Sequence, residues 1–215
     1  VWASAVLVMV LVAGIIGMVL VRGIPHISWK FLSTTASVLK KTDGILPAIL
    51  NTLYVIVLTL LIVLPLGVGA AVYLTEYASN RRLIEVIEFT NETLAGIPSI
   101  IYGLVGMLVL VPGIRQVFHI PDGSGLLAAI IVLAIMILPS IINVAMTALE
   151  AVPREYEDAS LALGATETET WFKVSVPAAR SGIAAAVVLG VGRAIGEAMA
   201  VMMVSGNVPN MPSLF

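Results

Sequence analysis

Arg193 and Glu197 stand four residues apart inside the run LGVGRAIGEAMAVMMVSGN, which carries no other charge. A charged side chain in the middle of a membrane span costs about 3 kcal/mol or more unless it is paired or faces a polar cavity. A spacing of four places both groups on one face of a helix, so one reading is an intrahelical ion pair that neutralises itself. The other is a gate or relay for a charged substrate, with Arg193 meeting an anion and Glu197 holding or releasing the guanidinium. The planar fork of a guanidinium suits phosphate-like oxyanions, which it can grip through two parallel hydrogen bonds.

Other chemistry is scarce. With 0 cysteines there is no disulfide framework, thiolate zinc site or cysteine nucleophile. His26 and His119 have no partners at metal-ligand spacing and fall outside the apolar runs, so neither a metal site nor an intramembrane acid–base pair is expected. An intramembrane enzyme therefore lacks its machinery, and no catalytic residue is assigned. A Gly-rich phosphate loop of the form G-x-x-x-x-G-K-[ST] is absent, so ATP cannot be handled by this chain through that route. The net charge of −2, without a basic stripe, argues against nucleic acid as a partner. Weaker candidates for lining a pathway are Asn51, Thr52, Thr59, Ser99, Tyr102, Ser140 and Asn143, polar residues of a kind that also simply bond neighbouring helices.

The elements that must position these groups follow from composition. Of 215 residues, 60% are hydrophobic and 11% charged, too apolar for a soluble core, so the bilayer is the expected solvent. Windows of about 20 uncharged residues, enough to cross a hydrocarbon layer about 30 Å thick, predict five spans. They lie near residues 1–21, 47–75, 93–111, 125–149 and 181–206, in a single all-α transmembrane domain over 1–215. Pro65, Gly67 and Gly69 are expected to loosen the second span, and Gly96, Ser99, Gly103 and Gly106 to let the third approach a neighbour closely. Basic residues divide five against five between alternate links, Lys40 and Lys41 included, so charge alone leaves the orientation open.

The loop over 150–180, EAVPREYEDASLALGATETETWFKVSVPAAR, is too polar to span and reads as two short helices. Pro153 starts the first, with Glu155, Glu157 and Asp158 near its positive end; Gly164 permits a left-handed stop, Thr166 caps the second, and Pro177 ends it. Such a segment could lie flat on a membrane surface or dock on a partner, and composition leaves both open.

Its spacing resembles the cytoplasmic loop of the permease subunits of binding-protein-dependent ABC importers. Their pattern is Glu-Ala-Ala, three residues, Gly, nine residues, then Ile-x-Leu-Pro. Here Asp158-Ala159-Ser160, three residues, Gly164, nine residues and Val174-Ser175-Val176-Pro177 keep every gap while altering four residues within their size or charge class. The resemblance implies a type I importer fold in a prokaryotic plasma membrane. It also implies that Glu157, Asp158, Ala159, Ser160, Gly164 and Pro177 seat a coupling helix in a separate ATPase, with the loop facing the cytoplasm. No cofactor is expected on this chain, since ATP would be bound by that partner.

ETLAGIPSIIYGLVG, EDASLALGAT and GRAIGEAMAV are similar, more narrowly, to the permeases of Pst-type phosphate importers. That resemblance implies an ATPase dimer, a second homologous permease and an extracytoplasmic phosphate-binding protein as partners, with Arg193, Glu197 and Ser99 on the translocation pathway. Features of both A-type and C-type subunits are present. Six spans are usual in that family, so a sixth is expected after Phe215. Permeases for sulfate or molybdate, and an anion channel, are the alternative readings.

Overall fold

Backbone amides inside lipid must find partners within their own segment, so each apolar run is expected to fold as a helix. The computed structural model describes residues 2–37, 42–78 and 80–206. Its contacts fall into two units, one ending at Leu50 and the other beginning at Asn51.

In the first unit, α1 (Trp2–Gly23) is apolar up to Arg22 and none of its side chains is buried, the condition of a helix whose solvent is lipid. A 3-10 turn, Ile24–His26, follows at Pro25. The Ser28 hydroxyl caps α2 (Trp29–Ser33) by accepting from the Phe31 amide at 3.2 Å. The chain then forms an antiparallel pair, β1 (Thr35–Ser37) and β2 (Thr42–Ile45), which corrects the all-α expectation in this link. Thr34 and Thr35 lead into β1 and Thr42 opens β2, and threonine favours extended backbone. Lys40 and Lys41, part of the charge count above, lie outside the described residues.

α3 (Leu46–Val72) continues through Pro65. A π-helical turn, Tyr73–Tyr77, follows it, closed by the Ala78 amide on the Tyr73 carbonyl at 3.0 Å. In the second unit, α4 (Arg81–Gly96) is capped by Asn80, whose side chain accepts from the Arg82 amide at 3.1 Å. Span three begins later than the expected residue 93. Pro98 restricts Ile97 to extended backbone (φ −71°, ψ 129°), so α4 ends at Gly96 and α5 (Ser99–Val105) starts afresh. A π-helical turn (Gly106–Leu110) and α6 (Val111–Phe118) complete a 20-residue apolar stretch from Ser99 to Phe118. The link after it closes on Asp122, whose carboxylate accepts from the Ser124 amide at 3.0 Å and hydroxyl at 2.7 Å; those two donors hold its carboxyl below the usual carboxylate range.

α7 (Leu126–Glu150) is the hub of this unit, packed by α4, α5, α11 and α12, with Ile130, Leu133, Ile137 and Ile141 each at most 2% exposed. Lipid tails are as apolar as leucine, so helices associate through close van der Waals fit rather than escape from water. Gly106 supplies that fit: a Cβ there would sit 2.6 Å from Val132 Cγ2 and 2.7 Å from Val204 Cγ1. Gly103 likewise lets α5 meet Ala200, whereas Gly96 has open space around it.

Beyond α7 come α8 (Arg154–Ala162), α9 (Glu167–Thr170), a third π-helical turn (Trp171–Ser175) and α10 (Val176–Ala178). The helix does not stop at Pro177, which occupies an early position of α10 where its missing amide costs nothing. Only Ala179 separates it from α11 (Arg180–Gly196), at a bend of 65°. α12 (Met199–Ser205) is a separate helix. Among the described residues, four helical stretches are long and apolar enough to cross a membrane, or five if the bent pair of stretches 167–178 and 180–196 forms one span.

Candidate functional site

Two places in the second unit gather the residues singled out in the sequence. The first surrounds Arg193. α11 ends at Gly196 because Glu197 adopts extended backbone (φ −86°, ψ 104°), so Arg193 and Glu197 do not share one continuous helix face. No ion pair joins them among the described residues. The Glu197 carboxylate turns forward and accepts the Ala200 amide of α12 at 3.2 Å, while Arg193 Nη1 reaches across to donate to the Ser140 hydroxyl on α7. The intrahelical pairing that the four-residue spacing allowed is therefore replaced by two separate commitments, one to a helix end and one to a neighbouring helix.

Tyr102 on α5 completes this neighbourhood. Its hydroxyl donates to the Leu94 carbonyl at 2.8 Å, bridging the Gly96–Pro98 break. Ser99 opens α5 three residues earlier, half-buried at the same break. Two interrupted helices thus meet near one arginine. Irregular backbone at membrane depth is tolerated only where it is buried in protein or lines a water-filled cavity. Arg193, Ser140, Tyr102 and Glu197 are all short of full burial. Ser140 and Tyr102 were legible only as polar residues within spans.

The second place is the loop between α7 and α11. α8 begins after Pro153, and the Ser160 carbonyl receives the Ala165 amide at 3.2 Å across the turn. Gly164 takes the left-handed conformation at φ +87°, with nothing within 4 Å of where a Cβ would stand. Thr166 and Glu169 form a reciprocal capping box on α9. Two hydroxyl bridges tie α8 to the following segment: Thr170 Oγ1 donates to Ser160 Oγ at 2.9 Å, and Ser175 Oγ donates to Glu157 at 2.8 Å. Thr170 and Ser175 are each 1% exposed, so these bonds lie in the interior of the knob. Asp158, Ala159 and Gly164 face outward, and Leu163, at the turn, is 90% exposed. The two short helices are thus braced against each other, with a bare leucine and small residues exposed at the tip of the knob.

Sequence reasoning missed Tyr77 and Thr168, whose hydroxyls meet at 3.1 Å, and the role of Trp171, which packs against Tyr77 edge to face with ring centroids 3.9 Å apart. Partners 91 positions apart leave no local signal. An aromatic residue at the end of a span and another in a polar loop were the visible hints.

Comparison with known proteins places this geometry in context. YqgH of Bacillus subtilis (strain 168), named as a probable ABC transporter permease, is 45% identical over 79% of this chain, which spans 54% of that protein. PstC of Mesorhizobium japonicum, a phosphate transport system permease protein, is 36% identical over 95% of this chain and 69% of its own length. PstC of Haemophilus influenzae is 37% identical over 98% of this chain and 74% of its own length. A chain of the MetNI methionine ABC transporter, solved in inward-facing conformations, superposes with a TM-score of 0.57 at 26% identity, covering 71% of this chain and 68% of that one. Residues 63–214 match the family described as binding-protein-dependent transport system inner membrane component. The apolar helices and this match make the chain a multi-pass membrane protein with a type I importer fold, and it belongs to that family of inner-membrane transport components.

Proposed function

We propose that this chain is a permease subunit of an ATP-driven inorganic phosphate importer. It forms half of a translocation pathway in the plasma membrane, with a second, homologous permease forming the other half. Energy comes from a separate ATPase dimer seated on the knob over Arg154–Ala162, and cargo from an extracytoplasmic phosphate-binding protein. The observation that carries the reading is Arg193, a guanidinium held to Ser140 between interrupted helices of an apolar bundle. Relatives named as phosphate transport permeases support phosphate as the cargo. Glu157, Asp158, Ala159, Ser160, Gly164 and Pro177 are the residues proposed to shape the ATPase contact, and Arg193, Glu197 and Ser99 those proposed to line the pathway.

The test is uptake of radiolabelled phosphate by the full complex reconstituted in liposomes. Arg193→Ala abolishes uptake while the complex still assembles; unimpaired uptake reduces the arginine to a structural role. Competition by sulfate or molybdate that exceeds competition by unlabelled phosphate overturns the cargo, and uptake that persists without ATP overturns the importer.

A further inference from the structure

Force from a partner seated on the knob has two covalent routes into the bundle, through Glu150 into α7 and through Arg180 into α11. A third, non-covalent route is built into the fold. The terminal turn of α3, Tyr73–Tyr77, is π-helical, and so is the turn Trp171–Ser175 that follows α9. The two turns meet. Trp171, only 7% exposed, packs its ring edge-to-face on Tyr77, and the Tyr77 hydroxyl bonds Thr168 at 3.1 Å. Tyr73 stacks behind Tyr77 with centroids 6.4 Å apart and rings 10° from parallel. Glu76, next to Tyr77, lies within reach of the charges of Arg154 and Glu157 on α8.

A single-turn π-helix carries one residue more than the α-helical repeat and is a frequent feature of functional sites, because shifting the extra residue re-aims the side chains around it. Here each π-turn presents its outermost aromatic to the other. An aromatic edge-to-face contact reinforced by a hydroxyl bond transmits displacement in more than one direction, which a sliding apolar contact does not. The knob is internally braced by the Thr170–Ser160 and Ser175–Glu157 bonds, so it moves as one piece and carries Trp171 with it.

We propose that the Tyr77–Trp171–Thr168 junction is a second coupling element, by which movement of the α8–α9 knob is passed directly to the cytoplasmic end of α3. The proposal rests on the coupling role assigned to the knob. Tyr77 and Trp171 are positioning residues in it, since neither touches substrate or nucleotide.

The experiment uses the reconstituted complex and reads phosphate moved per ATP hydrolysed. Tyr77→Ala and Trp171→Ala leave co-purified ATPase at wild-type stoichiometry and ATP hydrolysis continuing, while phosphate moved per ATP falls about fivefold or more, the range of a coupling free energy between sites. Tyr77→Phe, which keeps the ring and loses the hydroxyl, gives a smaller loss. A wild-type ratio in both alanine variants overturns the junction. Because the chain has 0 cysteines, Tyr77→Cys with Thr168→Cys can be joined by a short bifunctional thiol reagent. Unjoined, that double variant shows the lowered phosphate-per-ATP ratio of the alanine variants; joining the two positions raises the ratio back toward wild type, and a ratio that stays low or falls further on joining overturns the proposal even where an alanine variant folds poorly. Failure of the underlying coupling role looks different: replacing Asp158 with Lys would then leave both ATPase binding and uptake unchanged.

Discussion

Arg193 on α11 donates through Nη1 to the hydroxyl of Ser140 on α7, joining side chains 53 positions apart. Only one of its five N–H donors is used in that bond, which fixes the direction of the guanidinium. Removing the hydroxyl keeps the charge but frees its orientation. Ser140→Ala is expected to lower phosphate uptake about tenfold, the equivalent of a hydrogen bond to a charged group, with the complex still assembling. Arg193→Lys keeps the charge but loses the planar fork, and it falls further than Ser140→Ala in the same uptake assay.

Glu197 separates a charge role from a capping role. Its carboxylate accepts the Ala200 amide at the start of α12, and Gln retains an acceptor oxygen there while Ala does not. If capping is its main contribution, Glu197→Gln keeps most uptake and Glu197→Ala loosens α12, costing about 0.5–2 kcal/mol. Hydrogen exchange over residues 199–205 reads the cap directly. Equal loss of uptake in both variants with unchanged exchange would assign the residue to the pathway through its charge.

Gly106 sits where α5 and its continuation meet α7 and α12, with Val132 and Val204 on either side. A larger side chain must push these helices apart. Gly106→Leu is expected to destabilise the solubilised protein by about 1–3 kcal/mol, seen as a lower thermal midpoint. Gly113→Leu, on the same stretch with nothing within 4 Å of its Cβ position, stays within about 0.5 kcal/mol of the parent.

Local chemistry was the part of this fold that the sequence displayed. Pro153, Gly164 and Thr166 start, stop and restart the helices of the knob where their own backbone preferences put them, and the apolar runs mark where the long helices form. What stayed hidden depends on distant partners. The break at Pro98 was masked by the apolar run that continues on both sides of it. The break at Glu197 had only Gly196 as a local hint, since glutamate itself is a good helix former and its turn outward is fixed by the Ala200 amide. Ser140 could be named as a polar residue in a span but not as the partner of Arg193, and the hairpin at Thr35 was obscured by reading its link for charge alone.

Gly164 divides a backbone requirement from a docking requirement. At φ +87° a Cβ meets the following carbonyl, and a non-glycine residue there costs about 1–2 kcal/mol, with asparagine the best tolerated. The same position has nothing within 4 Å of where a Cβ would stand, so a small side chain meets no obstacle among the described residues. Any extra penalty from bulk therefore arises at a partner. The expected order of ATPase co-purification is wild type, then Gly164→Asn close behind, Gly164→Ala partly reduced, and Gly164→Trp lost. Hydrogen exchange across residues 154–175 shows whether the knob itself has opened in each variant. Were Gly164→Trp to bind ATPase as well as Gly164→Ala does, the glycine would serve only the turn, and the surface that meets the ATPase would have to lie elsewhere on the knob.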